Sequence, residues 1–250
     1  MTRMVERESF RRVFPCADID VDPTIPKAAA YWLPSDDDLT DDEGFGYFRD
    51  NWVIADLGPG VASGIVEEER KIIDGLCLLA DSPDHFAELA TAVEGRDSID
   101  LPAGSDLADV LLRGPYDEPT LDGLEIGVAG LTYALAEFGA FPAASCRGHG
   151  DRHAWSDHPV VYFAASRRVV QQLQPLVEES GCGFTIDPAR PELLVILAPS
   201  VFETSRLAGL VINLLARVPH RDDVQPALGG DSQLDVQSQL KIDFSDRADS

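Results

Sequence analysis

The alternation of apolar and polar positions changes character along the chain, and the changes mark candidate regions. Residues 1–60 keep no steady period. Prolines at positions 15, 23, 26 and 34 interrupt them, and an acidic run occupies 35–43. The segment Trp52 to Asp56 reads as a strand before the glycine turn Gly58-Pro59-Gly60. Residues 61–119 read as helical. Between Val66 and Ala80, Ile72, Ile73, Leu76 and Leu79 recur among charges at helical spacing. Ser82 and Pro83 supply a cap and a first-turn proline for a second helix, and Ser105 to Leu112 predicts a shorter third.

Residues 120–218 carry the clearest pattern. Thr120 is a candidate cap for a helix with Leu124, Val128, Leu131, Leu135 and Phe138 on one stripe, ended by Gly139. Two strands come after it, Ala143 to Cys146 and Pro159 to Ala164. A helix from Ser166 to Ser180 is closed by Gly181, and Pro175 should kink it or mark a late start. Strands at Gly183 to Ile186 and Leu193 to Leu197 come next. Ser200 and Glu203 then form a capping box for a last helix lined by Leu207, Leu210, Val211, Leu214, Leu215 and Val218. The predicted class is α+β: an antiparallel sheet from two strand–strand–helix units, helices on one face, preceded by a helical region. Residues 219–250 turn polar and predict a disordered acidic tail.

Composition narrows the function. The 44 acidic residues against 20 basic ones give a net charge of −24, which disfavours nucleic acid and anionic membrane surfaces as partners. The acidic run over 35–43 lacks the ligand spacing and glycine of a calcium loop. The longest apolar runs, Leu193 to Ala198 and Leu207 to Ala216, are too short to span a bilayer, and Met1 to Phe14 has no apolar stretch of signal type. These features predict a soluble, cytoplasmic protein; the pattern leaves its oligomeric state open. Four widely spaced cysteines predict reduced thiols, with Cys16, Cys77 and Cys182 as packing residues.

One segment differs from the rest of this acidic chain. Ser145 to His158 holds three of the five histidines, with Arg147 and Arg152 offsetting Asp151 and Asp157. Cys146, His149, His153 and His158 form a thiol–imidazole set suited to zinc. Cys146 beside Arg147 and His149 is equally a candidate catalytic nucleophile with its base. Ser145, Arg147, Gly148, Arg152 and Trp155 are candidates to hold a small anionic ligand, the glycines allowing close backbone approach. The plain alternative is a buried cysteine at a strand end and then a solvated loop. Asp187 and Glu192, flanking the third strand, are candidates to approach the loop across the sheet.

Ser145-Cys146-Arg147-Gly148-His149, preceded by an apolar helix and a small-residue strand, resembles the Ser-Cys-x-Gly-Arg/His core of the wybutosine-synthesis tRNA methyltransferase family. It also resembles uncharacterised bacterial proteins with a Ser-Cys-x-Gly-His signature. The resemblance covers about residues 124–163, with His149 in place of an arginine and Arg147 in place of a serine. It implies that Ser145, Cys146, Gly148 and His149 line a site at the sheet edge, and it brings in S-adenosylmethionine as a candidate cofactor. The leading expectation is a small-ligand (anion or metal) binding or regulatory protein using this loop. The alternatives are an S-adenosylmethionine- or nucleotide-dependent transferase, a Cys146-dependent hydrolase, and an acidic protein–protein adaptor.

Overall fold

Strict alternation along two central strands builds the core of the computed structural model, which describes residues 13–35, 60–95, 120–149 and 156–217. In β2 (Val160–Ala164) and β4 (Arg190–Leu197), Val161, Phe163, Leu194 and Ile196 point to one face. Val160, Tyr162, Ala164, Leu193 and Val195 point to the other. β1 (Phe141–Cys146) and β3 (Gly183–Asp187) complete a four-stranded antiparallel sheet in the order β1-β2-β4-β3. Five α-helices accompany it among the described residues: α1 (Val61–Leu79), α2 (Pro83–Gly95), α3 (Ala129–Glu137), α4 (Arg167–Ser180) and α5 (Val201–Leu215). The class is α+β, as the pattern predicts.

α3, α4 and α5 bury Leu131, Leu135, Val170, Leu173, Leu207 and Val211 against one face of the sheet. A second cluster joins Ile72, Ile73 and Leu76 of α1 to Phe86, Ala90 and Val93 of α2, sealed by Leu121, Ile126 and Val201. The residues from 13 to 35 hold no helix or strand. They run beside β3, where the Asp22 carbonyl accepts the Phe184 amide at 2.7 Å. A Cβ on Gly183 would lie 2.8 Å from the Asp22 nitrogen, so only glycine lets this segment close over the sheet edge.

Three expectations change. α1 begins at Val61, five residues before Val66, because the carboxylate of distant Glu137 accepts the Gly60 and Ala62 amides at 3.0 Å each. The helix expected from Thr120 is a 3₁₀ turn over Thr120–Gly123, and α3 starts only at Ala129. Gly123 and Gly127, at φ of 83° and 100°, break the run between them. Pro175 does not delay α4, which starts at Arg167 with Ser166 as its cap. Both Pro175 and Gln171, whose carbonyl loses its partner, lie on the exposed side of the helix, where an unpaired carbonyl costs little.

Cys16 also departs from its expected packing role, being exposed, while Cys77 is half-buried and Cys182 buried. No helix among the described residues is long and apolar enough to cross a membrane. The acidic run beyond Ser35, the strand at 52–56 with its glycine turn, the helix at 105–112 and the tail from 219 lie outside the described residues.

Candidate functional site

The site is set by a helix–strand hairpin. α3 climbs roughly 14 Å over nine residues. After the turn at Gly139, β1 descends roughly 20 Å over six. The residues leading into the helix are thereby brought beside those leaving the strand. Glu125, in the turn before α3, meets Cys146 at the end of β1 and His149 just beyond. The coordinating atoms of these three residues all lie within 4.8 Å of one another.

Each member is held in place. His149 Nε2 lies 2.9 Å from Glu125 Oε1, and the Arg147 amide donates to Glu125 Oε2 at 2.5 Å. The Gly148 amide points at Cys146 Sγ from 3.4 Å. The His149 amide donates to the Ser156 carbonyl at 3.1 Å, tying the two ends of the loop together. Gly148 has φ 86°, and a Cβ there would come within 2.6 Å of the His158 backbone. That close approach explains the glycine better than contact with a ligand does.

Behind the three lie a buried carboxylate, Glu69, and a partly buried one, Glu94, from the helical region. The Arg147 side chain is only 4% exposed, and its Nη1 pairs with Glu94 of α2 while Nη2 donates to Thr91 Oγ1 at 3.3 Å. Glu94 Oε1 also accepts the Ile126 amide at 2.7 Å, and Glu69 Oε1 of α1 accepts the Gly127 amide at 2.8 Å. The two amides directly after Glu125 are thus gripped by two different helices, which fixes the direction in which Glu125 points.

No protein-family model, curated protein or solved structure matches the chain.

Of the sequence candidates, Cys146 and His149 come together, and Gly148 shapes the turn between them. Ser145 is half-buried in β1, paired with Val161. Arg147 points inward to Glu94 and Thr91 rather than toward solvent. His158 is half-buried, burial pulling its pKa down, and it is not one of the three clustered residues. Arg152, His153 and Trp155 lie outside the described residues. Asp187 sits in β3, on the sheet edge opposite β1, beside Tyr162, whose pKa its carboxylate helps burial to raise. Glu125 is absent from the sequence candidates. The cue for it is the hairpin itself, since the strand outruns the nine-residue helix and so ends level with the residues that lead into it, where Glu125 lies.

Burial works against activation of the Cys146 thiol as a nucleophile. Burial pushes Cys146 up to about 11, and the Glu125 carboxylate adds to this against the Gly148 amide and Arg147. At 1% exposure it is also shielded from a substrate. In metal-free protein at pH 8, iodoacetamide is expected to label exposed Cys16 and to modify Cys146 about a hundredfold more slowly. Peptide mapping of the alkylated protein checks this. Equal rates at the two positions would revive the nucleophile.

Proposed function

We propose that this protein binds a single zinc-type ion through Glu125 Oε, Cys146 Sγ and His149 Nε2, and acts as a metal-centred binding or regulatory protein for a small anionic ligand. The observation that carries this reading is the approach of three chemically different donors from two chain segments to within 4.8 Å of one another. Thiolate and imidazole together favour zinc over the hard cations. Zinc bonds of about 2.0–2.3 Å in tetrahedral array set neighbouring donors roughly 3.3–3.6 Å apart, so the cluster needs only a small adjustment. The Gly148 amide facing the sulfur and the Arg147 amide on Glu125 supply the outer hydrogen bonds that metal ligands usually carry.

Three protein ligands leave a fourth position for water or an external anion. This brings the anion and metal readings together: the ion supplies the positive charge that Arg147, committed to Glu94, does not offer to solvent. A thiol held protonated by burial then has a role, because metal binding displaces its proton.

The test is elemental analysis of untagged full-length protein purified without chelator. About one equivalent of zinc is expected, with affinity lowered at least about tenfold in each of Cys146→Ser, His149→Ala and Glu125→Ala. Cobalt substitution should add a thiolate charge-transfer band that Cys146→Ser removes. Metal-free protein that also fails to take up cobalt would end the proposal.

A further inference from the structure

A groove of about 450 Å³ lies between α1 and α5, separate from the loop. Its apolar lining is Phe14, Ile73, Phe202 and Leu210, and Arg70 and Arg206 are its exposed cations. A second lobe of about 310 Å³ continues it toward Ser63, sharing Arg70, Ser205, Gly209 and Asn213. A volume of this order is typical of small-molecule sites, which pair an apolar lining with a few placed polar groups.

Two features set the groove apart from ordinary surface. The first is charge. In a chain of net charge −24, the larger lobe gathers two arginines against the carboxylate of Asp74, while Glu67, which lines the second lobe, is paired with Lys71 at 2.9 Å. Among the described residues neither the Arg70 nor the Arg206 side chain forms a close salt bridge, although Arg70 lies near enough to Asp74 and Glu67 to pull the pKa of each down. The second is Gly209, in the middle of α5. Glycine within a helix costs about 1 kcal/mol relative to alanine. Gly209 is not among the glycines of positive φ, and a Cβ built on it would meet nothing within 4 Å. Neither backbone conformation nor close packing explains it. What the missing side chain does is keep the groove open along its length.

We propose that the α1–α5 groove binds a small amphipathic monoanion, its acid group held by Arg70 and Arg206 and its aryl or alkyl body lying on Phe14, Ile73, Phe202 and Leu210. Ser205 and Asn213 supply further hydrogen bonds to the acid group, and Asp74 disfavours a second negative charge. The chemistry is that of an organic carboxylate or a singly charged ester of a stronger acid. It is independent of the metal at Cys146.

The probe is 8-anilinonaphthalene-1-sulfonate, titrated by fluorescence into the full chain, with N-phenyl-1-naphthylamine as the same framework lacking the sulfonate. Saturable binding at one site is expected, unchanged by chelator. The neutral analogue and the Arg70→Ala/Arg206→Ala variant should each weaken binding about tenfold or more. Gly209→Leu should remove binding without lowering the melting temperature, since leucine is the better helix former and its Cβ enters open space. The arginine variant alters only exposed side chains and so remains informative if Gly209→Leu folds poorly. Unsaturable binding, equal affinity for the neutral analogue, or full binding by folded Gly209→Leu would each overturn the proposal.

Discussion

Replacing Glu94 by alanine is expected to destabilise the protein by about 3–5 kcal/mol, because it strands a buried guanidinium. Arg147 is 4% exposed and Glu94 21%, so neither charge is freely solvated. Burial raises the Glu94 pKa even though Arg147 pulls it down, which means that desolvation outweighs the attraction of its partner. The pair therefore contributes little net stability while both members are present, yet loss of one leaves a large uncompensated cost. Glu94→Ala also orphans the Ile126 amide, one residue from Glu125. The melting temperature should fall by on the order of 10 °C. The paired replacement Glu94→Leu with Arg147→Met should recover most of that stability, since an apolar pair of similar volume avoids the desolvation. A loss below about 1 kcal/mol for Glu94→Ala, measured by denaturant unfolding, would show that Arg147 reaches water by another route. Metal affinity should fall with Glu94→Ala and stay low in the doubly apolar variant, because neither holds the Ile126 amide.

The parts of this fold legible in the sequence are those whose cause is local. Ser166 with Gly181, and Pro83 after Ser82, mark helix ends through their own side chains and backbone preferences. The alternation of Val161 and Phe163 with Leu194 and Ile196 marks strands through their two faces. The expectations that changed depend on partners far along the chain. Glu137 extends α1 from 75 residues away, and Glu69 and Glu94 hold amides that a continuous helix from Thr120 would have kept for itself. Glycine at 123 and 127 is the available warning, since the apolar stripe of Leu124, Val128 and Leu131 ignores both. The candidate site divides in the same way. Cys146 and His149, three residues apart, attract notice as a motif. Glu125 is one of many acidic residues in this chain, and only the folded hairpin separates it from the others. Arg147 misleads for the converse reason: a cation beside a glycine suggests an anion site, but the charge compensates a carboxylate on another helix.

Glu69 should make stability fall between about pH 4.5 and 7, by about 3 kcal/mol in total. Its side chain is 1% exposed, and Oε2 has no hydrogen-bond partner. Burial raises its pKa from 4.5 to about 7, against the opposing pull of the Gly130, Gly127 and Ala129 amides at the start of α3. Below the lower value the carboxyl is protonated in both folded and unfolded chains. Between the two values the unfolded chain releases the proton while the native one keeps it, so rising pH favours unfolding. Above about 7 both forms are ionised and the loss is complete. Glu69→Gln keeps an oxygen for the Gly127 amide but cannot ionise, so its stability should decline less over this window. Asp74 and Glu94, also raised by burial, and the general self-repulsion of a chain of charge −24 act in both proteins, so the difference between the two curves isolates Glu69. Parallel curves from pH 5 to 8 in chemical denaturation would mean that the carboxylate is stabilised by contacts other than the α3 amides. A steeper decline in the wild type would identify Glu69 as a buried acid poised near neutrality, holding an amide two residues along the chain from Glu125, the carboxylate that completes the candidate metal site.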